Sequence, residues 1–154
     1  EIVKEIKDAD LKDSVIPIYY DGRIYTDKYP IIYELLCCIP DIKMAGIINI
    51  KPKFEQKKEY GLSKLANNTV RYFYTVKHSA TLRSGIWIDG AQKFFYNKEW
   101  IVGDMSREHS LFNKNRKEYT TVIFIDVQRP SSIHPGCSPT HTSSDDEIAK
   151  AFGL

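Results

Sequence analysis

Between residues 85 and 130 the chain alternates short apolar segments with polar turns. The segments are rich in β-branched and aromatic residues, which favours an all-β sandwich or barrel. His109 follows a polar corner at residues 103–106, where a small barrel can direct a side chain into its mouth. Strands are predicted around Ile86 and Ile88 and over residues 92–96, 100–102, 110–112 and 120–127.

Strand patterns also precede this region. Residues 14–25 predict a hairpin around Asp21-Gly22, and residues 43–50 predict a buried strand. Residues 69–76 alternate regularly, so we expect one face of that strand to differ from the other. One face carries Val70, Tyr72, Tyr74 and Val76, and the other carries Arg71, Phe73 and Thr75.

Helical spacing of apolar positions is confined to residues 31–39 and to the two ends of the chain. For the first helix, Thr26 or Asp27 is the expected cap, and Pro30 is expected in the first turn. Residues 1–13 are compatible with a short helix or with an extended arm. Residues 131–146 are rich in Ser, Thr and Pro without periodicity, which predicts an extended tail; residues 144–147 then cap a small helix over residues 148–152.

Composition supports one folded domain. The 154 residues are 42% hydrophobic and 12% aromatic, so the chain can bury a core and is not expected to be disordered. The 22 basic and 20 acidic residues are scattered, so the net charge of +2 gives no basis for a nucleic-acid partner. No apolar run approaches the ~20 residues that a membrane span needs, so none is expected.

The cysteines point to an intracellular, reducing compartment. There are 3 of them, including the neighbours Cys37 and Cys38, which is too few for a disulfide framework or a four-cysteine zinc site. One bridge with one free thiol stays open as an alternative. Because the chain begins at Glu1 without a methionine, we expect a processed chain or an excised piece, from which a targeting segment can have been removed.

Several short motifs follow one another in order between residues 29 and 130. They are Leu35 to Pro40, Met44 to Pro52, Glu59-Tyr60-Gly61, Val70 to Tyr74, Phe95, Gly103 to Asn113 with His109 inside it, and Asp126-Val127 with Pro130. In order and spacing this region resembles the aspartyl/asparaginyl β-hydroxylase family of iron(II)- and 2-oxoglutarate-dependent dioxygenases. The resemblance implies a mainly β fold, a double-stranded β-helix (jelly roll, cupin-like) with one or two N-terminal helices. It also implies a division of the chain into an arm and hairpin (1–28), the jelly-roll domain (29–130) and a tail (131–154).

This sequence differs from the family at the positions that bind the metal ion and the co-substrate. The family binds iron through two histidines; the second matches His109, whereas the first matches Phe73, whose ring offers no lone pair. The family's arginine for 2-oxoglutarate falls on Thr120, with Arg116 in the nearby turn. The histidine of its His-x-Gly step is Glu59 here. One imidazole does not fix iron(II) well, so the domain looks catalytically incomplete, and we assign no catalytic residue and no cofactor with confidence.

Alternatives remain for the candidate residues. His109 is either a metal ligand, with His78 or Glu59 as a helper, or an ordinary histidine held by Asp104 or Ser106. His78 lies in a polar turn, where a solvated loop histidine is the simpler interpretation. Arg71 either lines the pocket or is a structural arginine paired with Asp104 or Glu59.

Three functions follow from these alternatives. The first is a binding or structural subunit that holds a protein partner through its terminal arm and tail. The second is an active hydroxylase of protein side chains, with iron on His109 and the carboxylate of 2-oxoglutarate on Arg71 or Arg116. The third is a sugar- or small-ligand-binding jelly roll, favoured only by the aromatic residues 94–96 and Trp100. Zinc in the tail is not expected, because His134, Cys137 and His141 are irregularly spaced and lack a fourth ligand.

Overall fold

The computed structural model describes residues 1–7, 14–78 and 83–154, without the side chain of Val3. In these residues the strands form two antiparallel sheets, a six-stranded sheet in the order β2-β1-β3-β10-β5-β8 and a four-stranded sheet in the order β4-β9-β6-β7. The strands are β1 Val15–Tyr20, β2 Arg23–Ile24, β3 Ile42–Ile50, β4 Phe54–Glu55, β5 Thr69–Lys77, β6 Ser84–Ile88, β7 Ala91–Phe94, β8 Trp100–Gly103, β9 His109–Asn113 and β10 Thr120–Gln128. The helices are α1 Ile2–Lys7, α2 Pro30–Cys37, α3 Ser63–Ala66 and α4 Glu147–Ala151, with a 3-10 turn at Ser143–Asp145.

Two hairpins turn where the sequence places an Asp-Gly pair. The φ angles are +43° and +84° at Asp21 and Gly22, and +44° and +88° at Asp89 and Gly90. A two-residue turn with both φ angles positive matches the twist of the flanking strands, and Asp-Gly tolerates this geometry well. These turns fix the pairing of β1 with β2 and of β6 with β7.

The core has two layers because both faces of the larger sheet are covered. Between the sheets pack Met44, Phe73, Ile86, Leu111 and Phe124. The outer face of the larger sheet carries a second apolar cluster, in which strand residues contact α1 and α2; it includes Ile6, Ile32, Leu36, Ile47, Ile123 and Ile125. Strands buried on both faces read as continuous apolar runs, which explains the sequence of β10.

The start of α2 differs from the prediction. Neither Thr26 nor Asp27 caps the helix, which begins at Pro30 without a side-chain cap from Tyr29. The carboxylate of Glu5 accepts instead from the N–H groups of Ile31 and Ile32, at 3.0 and 3.2 Å. The cap is supplied from α1, because that helix packs against the N-terminus of α2. Residues 2–7 thus form the short helix of the two predicted alternatives, and residues 8–13 lie outside the described residues.

The C-terminal segment returns to the barrel. Ser138 bonds to Asn67 through its backbone N–H and to the carbonyl of Gly61 through its hydroxyl. After the 3-10 turn, Asp146 caps α4, close to the predicted helix, and Phe152 packs in the inter-sheet core. Since β1 also pairs with β3, the segments assigned to an arm and a tail contribute to the same structure as residues 29–130, and the domain boundaries themselves stay a prediction. None of the helices in the described ranges has the length and apolar character needed to traverse a bilayer.

Candidate functional site in the barrel interior

A cluster of buried polar side chains lies between the two sheets. Strand alternation turns Arg71 and Phe73 of β5 inward, as predicted, and β10 turns Phe124 and Asp126 toward them. From the other side, His109 at the start of β9 completes the cluster with Glu59. Charged side chains are rarely buried unless they are paired, so the partners of each group decide what the cluster can do.

Arg71 and Asp126 form a buried ion pair. They lie directly opposite each other across β5 and β10, with Nε to Oδ1 at 2.6 Å and Nη2 to Oδ2 at 2.7 Å. The guanidinium also lies 4.7 Å from the centre of the Phe124 ring. Burial by itself would lower the pKa of Arg71, but the neighbouring Asp126 carboxylate raises it, so the net pKa is raised and the charge is kept.

The partner of Arg71 differs from the sequence expectation. The structure pairs it with Asp126, and neither Asp104 nor Glu59 takes that place. Asp104 is occupied by Arg129, whose Nη1 lies 3.1 Å from its Oδ2, and by the hydroxyl of Ser106 at 2.6 Å. Burial would raise the pKa of Asp104, but these donors outweigh it and the pKa is lowered.

His109 is held by the backbone. It is 5% exposed, and its Nδ1 lies 2.8 Å from the carbonyl oxygen of Arg107, so neither Asp104 nor Ser106 holds the ring as expected. Because a carbonyl only accepts, Nδ1 carries the proton and Nε2 keeps a lone pair in the neutral ring. Burial lowers the pKa of His109, and the nearby Arg71 cation lowers it further, although the bond to Arg107 opposes this.

Glu59 faces His109 across an isolated β-bridge. The two backbones exchange hydrogen bonds of 2.9 and 2.8 Å, and Oε1 of Glu59 lies 4.0 Å from Nε2 of His109. Gln56 donates to the same oxygen at 2.8 Å. Burial, and next the negative charges of Asp146 and Glu147, raise the pKa of Glu59 to about 8. At neutral pH this carboxyl group is therefore mostly protonated.

The space around these groups is nearly filled. Phe73 is 1% exposed and contacts Phe95 with ring centres 5.9 Å apart. Gln56, Leu111 and Ile148 line both this interior space and a neighbouring cavity of about 290 Å³. What remains inside is about 10 Å³, which is about the space of one water molecule. Its walls are Gln56, Glu59, Arg71, Phe73, Ile86, Met105, His109, Leu111 and Ile148.

The other candidate residues lie elsewhere. His78 follows the far end of β5, seven residues and roughly 23 Å along the strand from Arg71, and its ring lies 6.4 Å from Tyr96. Arg116 is exposed in the turn before β10. Thr120 is buried, and its hydroxyl donates to that of Ser84 at 2.7 Å. The fold thus brings Arg71, Glu59 and His109 together but not His78 or Arg116.

These side chains do not fit iron(II) with 2-oxoglutarate. Two histidines and a carboxylate are the usual ligands, and here the interior space is lined by one imidazole, that of His109, and by the carboxyl group of Glu59. Phe73, whose ring offers no lone pair, lines the same space, and the guanidinium of Arg71 places a positive charge beside any bound cation. Among residues 1–7, 14–78 and 83–154, no three His, Cys, Asp or Glu side chains are grouped to hold a metal ion.

Sequence reasoning overlooked Asp126 as a site residue. It was used only as a landmark in the closing strand, although it is the one charged residue in the apolar run of β10. An acid at an inward position of a buried strand requires a cation opposite, and Arg71 was already expected to face inward. Asp146 was missed because its role depends on where the chain end folds back.

Comparison of the sequence with models of protein families and with curated proteins finds no match. Comparison with solved structures finds cupin domains. The cupin domain of Cnp3 from Schizosaccharomyces pombe is 8% identical with a TM-score of 0.50, and the match covers 80% of this chain and 72% of that chain. The cupin domain of an XRE family transcriptional regulator from Enterobacter cloacae is 11% identical with a TM-score of 0.50, covering 75% of this chain and 96% of that chain. The predicted mainly β, cupin-like class is thereby confirmed, and the protein has the jelly-roll fold of cupin domains.

Proposed function

We propose that this cupin-fold domain is an aspartyl/asparaginyl β-hydroxylase-like domain that performs no oxygenase chemistry and serves as a binding or structural subunit. The observation that carries the proposal is the filled interior. Phe73 stands where the resemblance calls for an imidazole, and only about 10 Å³ is left beside it. A metal with its co-substrate needs a space many times larger.

The guanidinium of Arg71, the cation of the interior cluster, is already paired with a carboxylate. In an active enzyme of the proposed ancestry, an arginine would hold the carboxylate of 2-oxoglutarate. Arg71 instead donates through Nε and Nη2 to Asp126, so an incoming carboxylate must displace a buried acid of the same charge. Arg116 is exposed in a turn and does not reach this space.

The proposal includes a protein partner and an intracellular location. Three exposed cysteines without a disulfide in the described residues support a reducing compartment. The expected contact through the terminal segments is restricted, because Ile6 and Phe152 are 2% and 4% exposed in the chain's own core. Exposed tail residues such as Ile133, at 42% exposure, stay available.

Metal binding tests the proposal directly. Mn²⁺ serves as a redox-stable substitute for iron(II), and its uptake is measured by titration calorimetry for the wild type, Phe73→His and the double variant Phe73→His/His109→Ala. We expect no stoichiometric uptake by the wild type and a gain in Phe73→His that the double variant loses. Phe95→His is the matched control, since Phe95 is equally buried next to Phe73.

The competing function predicts a different result. If the wild type binds one Mn²⁺ and loses it in His109→Ala, and if it releases succinate from 2-oxoglutarate with iron(II), the protein is an oxygenase with a rearranged site. The binding or structural role is then contradicted. Circular dichroism spectra of all variants establish that each compared protein is folded.

A further inference from the structure

The cavity of about 290 Å³ beside the filled interior is a separate space with its own walls. These walls come from β1, β3, β4, β9 and α4 and from the residues next to them. Neither Arg71 nor His109 is among its described lining residues. Its volume is close to the lower end of the range for small-molecule pockets, roughly 300–1,000 Å³. A ligand of this cavity is therefore small and lies outside the interior cluster.

Half of the lining is apolar. The apolar lining residues are Val15, Ile48, Ile50, Phe54, Leu111 and Ile148. Four of them belong to the inter-sheet core and are between 2% and 7% exposed, namely Ile48, Ile50, Leu111 and Ile148. Covering such surface with an apolar group removes it from water, which is favourable. The cavity therefore suits a ligand with an aliphatic or aromatic body.

The two amide side chains of the lining make hydrogen bonds within the protein. Gln56 donates to Oε1 of Glu59 at 2.8 Å and accepts from the backbone N–H of Leu111 at 2.9 Å. Oδ1 of Asn49 accepts from the hydroxyl of Thr121 at 3.0 Å. The charged side chains of the lining are therefore the main polar groups that can orient a ligand.

The charged residues of the described lining are one cation and one anion, Lys51 and Glu147, and both are exposed. No described residue forms an ion pair with either of them. Nζ of Lys51 lies 5.9 Å from the centre of the Phe54 ring, which also lines the cavity. The negative charge of Glu147 contributes to the raised pKa of Glu59, so this charge acts on the barrel interior. A small ligand in the cavity thus meets both signs of charge.

We propose that this cavity binds a small zwitterion with an apolar body, of the class of the free apolar α-amino acids. The side chain of the ligand covers the apolar lining, its carboxylate pairs with Lys51, and its ammonium group pairs with Glu147. Hydrogen bonds between charged groups are stronger than those between neutral groups, so the pair of charges fixes the orientation. The inference goes beyond the proposed function, since it requires neither a protein partner nor the interior cluster.

The two charges disfavour other small ligands of similar size. A simple carboxylate is attracted by Lys51 and repelled by Glu147, and a simple amine meets the reverse. A zwitterion is attracted by both, which is how complementary charges give specificity. The end of a peptide carries only one of the two charges, so a free amino acid fits better than a chain terminus.

The test uses leucine and three compounds that each lack one of its features. Isocaproate is leucine without the amino group, isoamylamine is leucine without the carboxyl group, and asparagine has a similar shape with a polar side chain. Each is titrated into the ¹⁵N-labelled chain while amide shifts are recorded. We expect leucine to shift the amides of the cavity lining. Isocaproate and isoamylamine should bind at least about threefold more weakly, and asparagine at least about tenfold more weakly.

Two variants assign the charges of the ligand to their partners. Lys51→Met is expected to lose the preference for leucine over isoamylamine, because the carboxylate then has no cation. Glu147→Gln is expected to lose the preference for leucine over isocaproate. Lys57→Met and Glu55→Gln make the same changes at exposed positions outside the lining, and both preferences should be kept. The amide spectra also establish that each variant is folded.

Three outcomes overturn the inference. They are no shifts at the cavity with leucine at tens of millimolar, binding of any of the other three compounds as tightly as leucine, and unchanged preferences in Lys51→Met and Glu147→Gln. The metal titration described above depends on Phe73 and His109 in the interior. Failure of the amino-acid site and failure of the non-enzymatic role are therefore distinguishable.

Discussion

The guanidinium of Arg71 lies directly opposite the carboxylate of Asp126 across β5 and β10, with two parallel hydrogen bonds of 2.6 and 2.7 Å. Both side chains are almost fully buried, at 8% and 3% exposure. Removing one partner leaves an uncompensated charge between the sheets, where water cannot solvate it. The stability of the barrel thus depends on the pair being complete.

Single substitutions of this pair are expected to be far more costly than their combination. Arg71→Met or Asp126→Leu is expected to lower the free energy of unfolding by about 3–5 kcal/mol, whereas the double variant loses much less because no charge is left buried. Urea unfolding of the four proteins gives the coupling energy. Additive losses in the double variant would contradict an interaction between the two residues.

The raised pKa of Glu59 predicts that stability falls between pH 4.5 and about 8. In the unfolded chain this carboxyl group has its ordinary pKa of 4.5, and in the folded protein burial and the charges of Asp146 and Glu147 raise the pKa to about 8. Between these values the folded state holds a proton that the unfolded state has released. The free energy of unfolding therefore decreases as the pH rises from 4.5 to about 8.

Glu59→Gln tests this effect, since glutamine resembles the protonated acid and does not titrate. We expect the variant to unfold at a higher temperature than the wild type at pH 8 and at a similar temperature at pH 5. Glu55→Gln, on the exposed side of β4, serves as the control and should leave the pH profile unchanged. Parallel profiles for wild type and Glu59→Gln would show that Glu59 titrates normally.

His109 has the opposite effect at acid pH. Burial lowers its pKa below the ordinary 6.5, so the unfolded chain binds a proton in a range where the folded protein does not. Its contribution to stability is complete above pH 6.5 and is lost as the pH falls toward the lowered value. His109→Gln, followed by thermal unfolding between pH 5 and 7.5, should flatten this part of the profile. NMR titration of the imidazole protons checks the pKa itself.

Phe152 is expected to anchor the C-terminal segment. Its ring is 4% exposed and contacts Tyr20, Tyr25 and Phe124, with ring centres 6.2, 5.2 and 6.2 Å away. Phe152→Ala leaves a cavity and should cost about 3–5 kcal/mol, whereas Phe152→Leu should cost clearly less. In limited proteolysis, the alanine variant should be cleaved after residue 130 faster than the leucine variant. Equal resistance of all three proteins would place the anchor elsewhere.

Glu5 is expected to stabilise α2 from another helix. Its carboxylate accepts from the N–H groups of Ile31 and Ile32, so Glu5→Ala should lower the free energy of unfolding by about 0.5–2 kcal/mol. Glu34→Ala, an exposed acid within α2, is the matched control and should change stability by less. Chemical denaturation measures both, and equal effects would show that Glu5 is no cap.

How well each contact of the site could be predicted depended on how far apart in the chain the contacting residues lie. Alternation along one strand placed Arg71 and Phe73 on the same face, and the Asp-Gly turns followed from two adjacent residues. The cap of α2 was predicted wrongly because Glu5 lies far from it in the chain. Likewise Asp104, one of the two acids expected to pair with Arg71, is engaged by Arg129, so the partner of Arg71 was not evident from local sequence.

The sequence by itself determined the mainly β class, the faces of β5, the terminal helix and the absence of an imidazole at position 73, because these depend on residue type and short-range periodicity. Only the tertiary structure decided that Asp126 neutralises Arg71, that Glu59 meets His109, and that Ile148 lines the interior. Those contacts join residues far apart in the chain, and the free energy of burying charge selects among partners that the sequence leaves equally possible.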